Sequence, residues 1–540
     1  MAPRTHGLRP RFPRWLPALV LPLWLASCGG GAQPDVSAVA IQGRVSYDFV
    51  PATTERGLNY ADTTARPARG VEVVAVADDG RELASSRAGV DGSFTLTVPA
   101  RTTVRLRAKA RLHQPPGAGA SWDFSIRDNT SSGYAQGNAA LYAVQGEAFD
   151  SGSKATLTQD LHAASGWTGD GYGQARAAAP FAILDQFYSA IEKMRAVDPS
   201  VAFPPMNTYW SIHNRPAPGE PALGEITTSH WQSAGDTPGL YILGKEDVDT
   251  DEYDTGVVVH EWGHYFESRL SRSDSTGGPH GGGDMLDMRL AFGEAWGNAL
   301  AGMVREDPLY IDTSDPGQAV TGLVMDLDAI PGYEPRGWFN EASVQTLLYK
   351  ASRAPQLGFD DIYRVMTGPQ KSTPAFTSLF SFASYLREAA GPEGRAVLDA
   401  LLADIQTVNG PQLDIWGTHQ SWPQSLADGA RHQDAVLPIY TPLAVGAAPT
   451  RSCSTSQFGN KGINLGNQRY YRFSVASGGS YTLAFSESQA KDLEVRSADE
   501  DVEFEALDDT TASAVLAPGD YVMSVRPAPP GSCISVRVFQ

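Results

Sequence analysis

The spacing of apolar residues changes twice along the chain, and these changes limit how it can fold. Between residues 39 and 112 apolar and polar residues alternate, as over Ser93–Pro99, which is the pattern of a half-buried strand. From about residue 160 to 435 the apolar residues recur at helical spacing, and alternation returns from about residue 445. We therefore expect two β units separated by a region rich in helices.

The length of 540 residues is enough for several domains, and a hydrophobic fraction of 42% supports ordinary cores. The expected fold class is multidomain, with an N-terminal β-sandwich, a central α+β domain that is mostly helical, and a C-terminal β-sandwich. The expected segments are a signal peptide at 1–27, a flexible tether at 28–38, a β domain with an extension at 39–150, a central domain at 160–440 and the C-terminal β-sandwich at 445–540.

The N-terminus predicts export. Four arginines precede an uncharged, mostly apolar run at Trp15–Leu25, which is too short to span a membrane and is typical of a secretory signal. The run ends in Leu25-Ala26-Ser27-Cys28, which resembles the lipobox of bacterial lipoproteins. This resemblance implies a lipid on Cys28 that anchors the protein at the cell envelope, with the outer membrane as the expected location. The alternative is an ordinary cleaved signal and a secreted protein.

Net charge and cysteine content exclude two classes of protein. The chain has 42 Lys and Arg against 61 Asp and Glu, a formal charge of −19, so it repels nucleic-acid phosphates. Three cysteines exclude a disulfide-rich scaffold. Cys453 and Cys533 lie near the end of an exported chain, so we expect a disulfide between them, and two separate thiols are the alternative.

One pentapeptide has the residue types of a catalytic metal site. The segment His260-Glu261-Trp262-Gly263-His264 follows three valines and precedes two aromatic residues, a pattern typical of a buried helix. Four helical residues advance by about 400°, so His260 and His264 project from one face and can bind one zinc ion. Glu261 lies beside them and can hold the water on the metal. The alternative is a structural helix with two hydrogen-bonded histidines.

A catalytic zinc site needs a third protein ligand. We expect Glu294, because it lies in a second run of apolar residues at helical spacing, where a carboxylate needs a metal or a charged partner. A buried structural salt bridge is the alternative role for Glu294. His280 lies in a glycine-rich loop, which is a poor rigid platform for a ligand, and we place it with Asp284 and Asp287 behind Glu294.

This pattern resembles the gluzincin metallopeptidases, in particular the thermolysin-like and fungalysin-like enzymes, over residues 239–303. The resemblance implies a zincin-like domain with Glu261 as the catalytic carboxylate. The zinc ligands that it implies are His260, His264 and Glu294. The family has Asp four residues after the third ligand, where this chain has Asn298. An uncharged acceptor beside a ligand histidine raises the basicity of that ligand less.

The flanking β units also resemble known modules. Gly43-Arg44-Val45 and Asp91-Gly92 are similar to the carboxypeptidase-regulatory-like domain, which implies an accessory or folding role. The alternating residues after 445 resemble the pre-peptidase C-terminal β-sandwich of secreted bacterial proteases, and a generic β-sandwich is the alternative.

Three further features complete the expected site. The family stabilises the oxyanion with a Tyr or His beyond the third ligand, and Tyr333 is our expected residue. The other candidates are Tyr310, Tyr349 and His419. In the resembling enzymes the strand before the active-site helix is a sheet edge, so the resemblance implies that an extended peptide can add to 239–244. An ordinary sheet strand is the alternative. The acidic residues at 246–254 are expected to stabilise the N-terminus of the following helix through its free N–H groups and its dipole, and a Ca²⁺ site is the alternative.

Together these features predict a zinc metalloendopeptidase that hydrolyses polypeptides with a zinc-bound water activated by Glu261. One alternative is a zinc aminopeptidase of the same superclass, although the sequence lacks the Gly-x-Met-Glu-Asn segment of such enzymes. The other alternative is a surface-binding or adhesion lipoprotein with a catalytically retired peptidase domain.

Overall fold

The computed structural model describes residues 37–318, 320–486 and 490–540. The expected signal peptide, the expected lipid-bearing Cys28 and most of the expected tether lie outside these residues. Within the described ranges, no helix is both long enough and apolar enough to cross a membrane.

Strands dominate the first part of the described chain, where one sheet forms around the first strand and a second sheet contains the fifth, sixth, eighth and ninth strands. Its strands are β1 (Ala38–Phe49), β2 (Ala52–Thr53), β3 (Gly57–Leu58), β4 (Thr64–Pro67), β5 (Val71–Ala77), β6 (Glu82–Arg87), β7 (Ser93–Pro99), β8 (Thr103–Gln114), β9 (Trp122–Asp128), β10 (Ala140–Leu141), β11 (Ala143–Gln145), β12 (Phe149–Asp150), β13 (Thr156–Thr158) and β14 (Leu161–Ala163). Strand β1 pairs antiparallel with β7, from Ala38 opposite Pro99 to Arg44 opposite Ser93. Buried and exposed residues alternate along β7 and β8, as the sequence predicts.

The central part mixes helices and strands. Its helices are α1 (Ala179–Val197), α2 (Thr255–Leu270), α3 (Met288–Arg305), α4 (Glu341–Arg353), α5 (Phe359–Thr367), α6 (Leu379–Ala389) and α7 (Pro392–Asp404). Its strands are β15 (Met206–Trp210), β16 (His230–Gln232), β17 (Gly239–Ile242), β18 (Gly244–Lys245), β19 (Asp249–Thr250), β20 (Leu309–Ser314) and β21 (Val320–Asp326). Short 3₁₀ helices lie at Tyr60–Asp62, Tyr134–Gln136, Pro221–Leu223, Pro316–Gln318, Gly410–Gln412 and Gln424–Ala435.

One sheet crosses the expected border between the first and central parts. Its strands follow the order β16-β17-β15-β9-β8-β5-β6, and β9 pairs parallel with β15, with Phe124 opposite Met206. Phe124 of β9 joins this sheet to two helices: its ring lies 6.0 Å from that of Phe187 in α1 and 5.5 Å from that of Tyr265 in α2. The sheet therefore supports α2 directly.

The expected fold class is wrong in one respect, because the central part is not mostly helical. The layout is multidomain and β-rich, with 25% helix and 32% strand. Strand β17 is buried at all of its residues, so it lacks the alternation that identifies a half-buried strand. Its pairing with strands from distant parts of the chain depends on tertiary structure, which local periodicity does not report.

The last part is a pair of facing sheets. Its strands are β22 (Tyr440–Pro442), β23 (Thr450–Cys453), β24 (Arg469–Val475), β25 (Gly479–Phe485), β26 (Ala490–Arg496), β27 (Glu505–Ala506), β28 (Thr511–Leu516), β29 (Gly519–Pro527) and β30 (Cys533–Phe539). The sheets have the orders β22-β24-β29-β26 and β23-β30-β25-β28-β27, and a shared apolar core lies between them. A disulfide joins Cys453 in β23 to Cys533 in β30.

The last part docks against the beginning of α3. Asp287 caps α3 by accepting a hydrogen bond from the backbone N–H of Arg289. The Arg289 guanidinium is almost fully buried and also donates to Glu494 in β26 at 2.5 Å. Because α3 carries Glu294, this buried network connects the C-terminal sheets to the expected metal site.

Candidate metal centre

Helices α2 and α3 cross at two glycines. A Cβ on Gly263 would lie 3.0 Å from the Cα of Gly297, and a Cβ on Gly297 would lie 2.8 Å from Nδ1 of His260. Because neither position has a side chain, the helices approach closely and the His260 ring lies against α3. Most residues of both helices are buried, so packing holds this crossing in place.

The structure brings the three expected ligands together. Nε2 of His260 lies 3.0 Å from Nε2 of His264, and Oε2 of Glu294 lies 3.3 Å and 3.4 Å from these two nitrogens. Zinc bonds of about 2.0–2.1 Å at tetrahedral angles separate neighbouring ligand atoms by about 3.3–3.4 Å. Two of the three separations have this value and the third is slightly shorter. The donor set therefore fits a zinc ion with one coordination position left for water.

The charges within this cluster favour a cation. Burial raises the pKa of Glu294, but the two imidazoles outweigh burial and hold this pKa well below its usual value. Burial lowers the pKa of the His264 imidazole, whereas the Glu294 carboxylate raises it, with a net result of about 10. The three side chains thus stabilise positive charge at the point where their donor atoms converge.

Glu261 lies beside this point. Its side chain is buried, and its Oε1 lies 4.0 Å from Nε2 of His260. Burial raises the pKa of the Glu261 carboxyl, and the charges on His260 and His264 oppose that change. A carboxylate at this distance can accept a hydrogen bond from a water held at the cluster.

A chain of hydrogen bonds extends outward from His260. Oδ1 of Asn298 lies 2.7 Å from Nδ1 of His260, as expected for a residue that orients a metal ligand. The Asn298 amide nitrogen donates to Oε1 of Glu341 at 2.5 Å and to Oε1 of Gln345 at 2.8 Å. Sequence reasoning missed Glu341 and Gln345, because both lie on α4, more than 40 positions beyond Asn298, and belong to no local motif.

His280 lies nearer to the cluster than its glycine-rich loop suggests. Its Nδ1 lies 2.9 Å from the carbonyl oxygen of Gly278, and its Nε2 lies 3.5 Å from Oε2 of Glu294 and 3.6 Å from Oε2 of Glu341. The donor group whose atoms all lie within 4.8 Å of one another contains His260, His264 and Glu294 but does not include His280. In the described structure His280 therefore contacts the outer side of the site.

The remaining candidate residues of the site are the tyrosines considered for the oxyanion and the two aspartates considered as ligands. Tyr333 is 79% exposed, whereas Tyr310 is buried with its ring 6.2 Å from that of His260. Asp284 accepts from Lys461, and Asp287 caps α3, so the structure gives both carboxylates roles other than metal binding.

The edge of the sheet lies one strand beyond the expected position. Strand β17 pairs parallel with β15 on one side and antiparallel with β16 on the other, so residues 239–242 are internal. In the described sheet, β16 is the strand at this edge. The prediction of an edge at 239–244 came from the resemblance to the gluzincin enzymes and is wrong, because the three-residue strand β16 pairs with the outer side of β17.

The acidic segment before α2 forms a second carboxylate cluster. Carboxylate oxygens of Asp249, Asp251 and Asp312 lie within 4.8 Å of one another. One oxygen of Asp251 and one of Asp254 are buried without a hydrogen-bond partner in the described structure, and these residues are 3% and 0% exposed. Desolvation and repulsion from Asp312 raise the pKa of Asp249 to about 7.

Comparisons with known proteins give little. The sequence matches no family model, and no curated protein matches it. A solved pre-peptidase C-terminal domain of a collagenase from Bacillus anthracis is 10% identical, covers 18% of this chain and 93% of that chain, and has a TM-score of 0.15. A 9R-lipoxygenase from Cyanothece is also 10% identical, covers 32% of this chain and 25% of that chain, and has a TM-score of 0.13. At such scores these likenesses are weak and partial, and they support no argument about function.

Proposed function

We propose that this chain is a zinc-dependent metalloendopeptidase of the gluzincin type that hydrolyses polypeptides. The observation that supports this most is the convergence of His260, His264 and Glu294 at separations suited to tetrahedral zinc. Glu261 beside the same point supplies the carboxylate that such chemistry needs.

A bound zinc ion would acidify a water molecule and polarise the scissile carbonyl. Glu261 would accept a proton from that water at a carboxylate oxygen. The hydroxyl oxygen adds to the carbonyl carbon, the C–N bond breaks, and Glu261 returns the proton to the leaving amine nitrogen. Asn298 would keep Nδ1 of His260 protonated, so that Nε2 presents its lone pair to the metal. Tyr333 remains our proposed oxyanion donor.

Hydrolysis of casein and of an internally quenched peptide tests the proposal. We expect the wild type to turn over both, to lose activity on chelation and to recover it with Zn²⁺. Glu261→Gln should retain metal but lose about 10²-fold or more in kcat, in line with removal of a general base. Equal turnover by both proteins would refute the role of Glu261.

The same assay separates the alternatives. An endopeptidase cleaves a peptide whose N-terminus is acetylated, whereas an aminopeptidase requires the free amine. A retired adhesion protein would bind metal but would cleave neither the acetylated peptide nor one with a free N-terminus. Cleavage of the acetylated peptide within its sequence is the result that we expect.

We also propose that the second carboxylate cluster binds Ca²⁺. Buried carboxylate oxygens without partners are costly unless a cation compensates them, and Ca²⁺ prefers oxygen ligands. Calcium at 100 times its Kd should stabilise the wild type by about 2.7 kcal/mol. Asp251→Asn should lose this effect while Asp236→Asn, at an exposed position, keeps it. An unchanged calcium response in Asp251→Asn would contradict the site.

Export with a lipid anchor on Cys28 is likewise a proposal. It rests on the Leu25-Ala26-Ser27-Cys28 segment behind a basic, apolar N-terminus. Cys28→Ala should move the protein from the membrane fraction to the soluble fraction, which fractionation of cells measures. An unchanged membrane association would argue against acylation.

A further inference from the structure

We propose that Glu341 is a positioning residue for the metal site, which holds His260 in its ligand orientation through the Asn298 amide. This inference rests on the proposed function, because it assumes that His260 binds a metal.

The hydrogen bonds of Asn298 determine which way its amide faces. The side chain is buried, and its two N–H groups are directed to Oε1 of Glu341 and Oε1 of Gln345. A flipped amide would place its oxygen against these two acceptors, so the oxygen faces Nδ1 of His260. His260 must then donate from Nδ1, which leaves Nε2 free to bind the metal.

The charge of Glu341 adds to this orientation. A hydrogen bond from an amide to a carboxylate is charge-assisted, and hydrogen bonds in series polarise one another. The carboxylate therefore makes the Asn298 oxygen a stronger acceptor for the His260 N–H. In this way Glu341, one hydrogen bond further out, supplies the negative charge that a carboxylate at position 298 would supply directly.

The local structure shows that Glu341 does more than stabilise a helix N-terminus. It lies in the first turn of α4, where Asn340 caps the helix by accepting from Ser343. An acid needed only for the helix dipole can remain in solvent, as Glu393 does in the first turn of α7. The Glu341 side chain is instead 20% exposed and turned toward Asn298.

A double-mutant cycle on the full chain tests the inference, with Zn²⁺ and Co²⁺ affinity as the readout. Removal of such outer partners weakens metal binding by about 10- to 100-fold, and we expect Glu341→Gln to fall near tenfold. Asn298→Asp alone should not tighten metal binding. The amide nitrogen of Asn298 now lies 2.5 Å from Oε1 of Glu341, and a carboxylate oxygen in its place would repel the Glu341 carboxylate. Asn298→Asp combined with Glu341→Gln should restore affinity to within about threefold of wild type, since a single charge is present again.

Glu393→Gln is the matched control, because it removes an exposed first-turn acid of another helix, and its metal affinity should equal that of wild type. The Co²⁺ absorption spectrum should change in Glu341→Gln and return in the double variant, which a purely structural defect would not produce. If Glu341→Gln does not fold, Glu341→Asp is measured on its own. Its shorter side chain keeps the charge but loses the hydrogen bond to Asn298, so metal affinity should again fall, and wild-type affinity would overturn the inference.

Wild-type affinity in Glu341→Gln, or an equal effect of Asn298→Asp in both backgrounds, would overturn the inference. A wild type that binds no metal would overturn both this inference and the proposed function. A wild type that binds metal but cleaves no peptide would refute the proposed function alone, and the cycle would still decide the role of Glu341.

Discussion

Substitution of Gly297 by alanine tests whether the helix crossing sets the metal geometry. The new Cβ would lie 2.8 Å from Nδ1, 2.9 Å from Cε1 and 3.0 Å from Cγ of His260. Carbon atoms do not approach this closely, so the imidazole must move. Its movement would also stretch the 2.7 Å hydrogen bond to Asn298.

Two opposing effects on stability can be estimated. Alanine is better than glycine inside a helix by about 1 kcal/mol. Overpacking of a well-packed interior costs about 1–3 kcal/mol. The metal-free variant should therefore lose between about 0 and 2 kcal/mol. Displacement of one ligand ring and loss of its outer hydrogen bond should weaken zinc binding by about 10- to 100-fold.

Competition with a chromogenic chelator measures the zinc affinity, and urea unfolding measures the stability. Gly293→Ala is the matched control, because it lies one turn earlier in α3 and its Cβ would meet only side-chain atoms, at 3.3 Å or more. The control should bind zinc as the wild type does. A Gly297→Ala protein that is more stable and binds zinc with wild-type affinity would refute the reasoning, because only the helix-propensity gain would then remain.

Three further predictions concern stability. Replacing Cys453 and Cys533 by serine opens a loop of 80 residues and should lower the free energy of unfolding by about 4–5 kcal/mol, because the unfolded chain gains entropy. Urea unfolding of the variant and of the wild type with and without reductant measures this loss, and a loss below about 1 kcal/mol would contradict the prediction. Burial raises the pKa of Glu267 from its usual 4.5 to about 7, so the folded state binds the proton more tightly and wild-type stability should fall as pH rises from about 4.5 through 7, by up to about 3 kcal/mol. Without metal, the wild type should lose this amount relative to Glu267→Gln over that pH range, and parallel pH profiles of the two proteins would disprove the effect. Arg289→Met leaves the buried Asp287 carboxylate without its cation and should cost about 3–5 kcal/mol in urea unfolding, whereas an unchanged midpoint would show that the network contributes nothing.

Much of the candidate site follows from local sequence. His260 and His264 share a helix face because four residues complete slightly more than one turn. The apolar spacing around Glu294 predicts a buried helix, and the structure has α3 there. These features depend only on helical geometry and on residue type, so no knowledge of distant contacts is needed to predict them.

Other features depend on how distant segments meet. The pairing of β9 with β15, the position of β16 at the sheet edge and the approach of Glu341 to Asn298 all join residues that no local period connects. The close contact of Gly297 with His260 also requires the crossing of two helices. The sequence by itself determined which side chains can bind a metal and on which helix face they lie, because that period is local. Only the tertiary structure decided what surrounds them, because burial and strand pairing arise from packing between parts of the chain that are far apart in sequence.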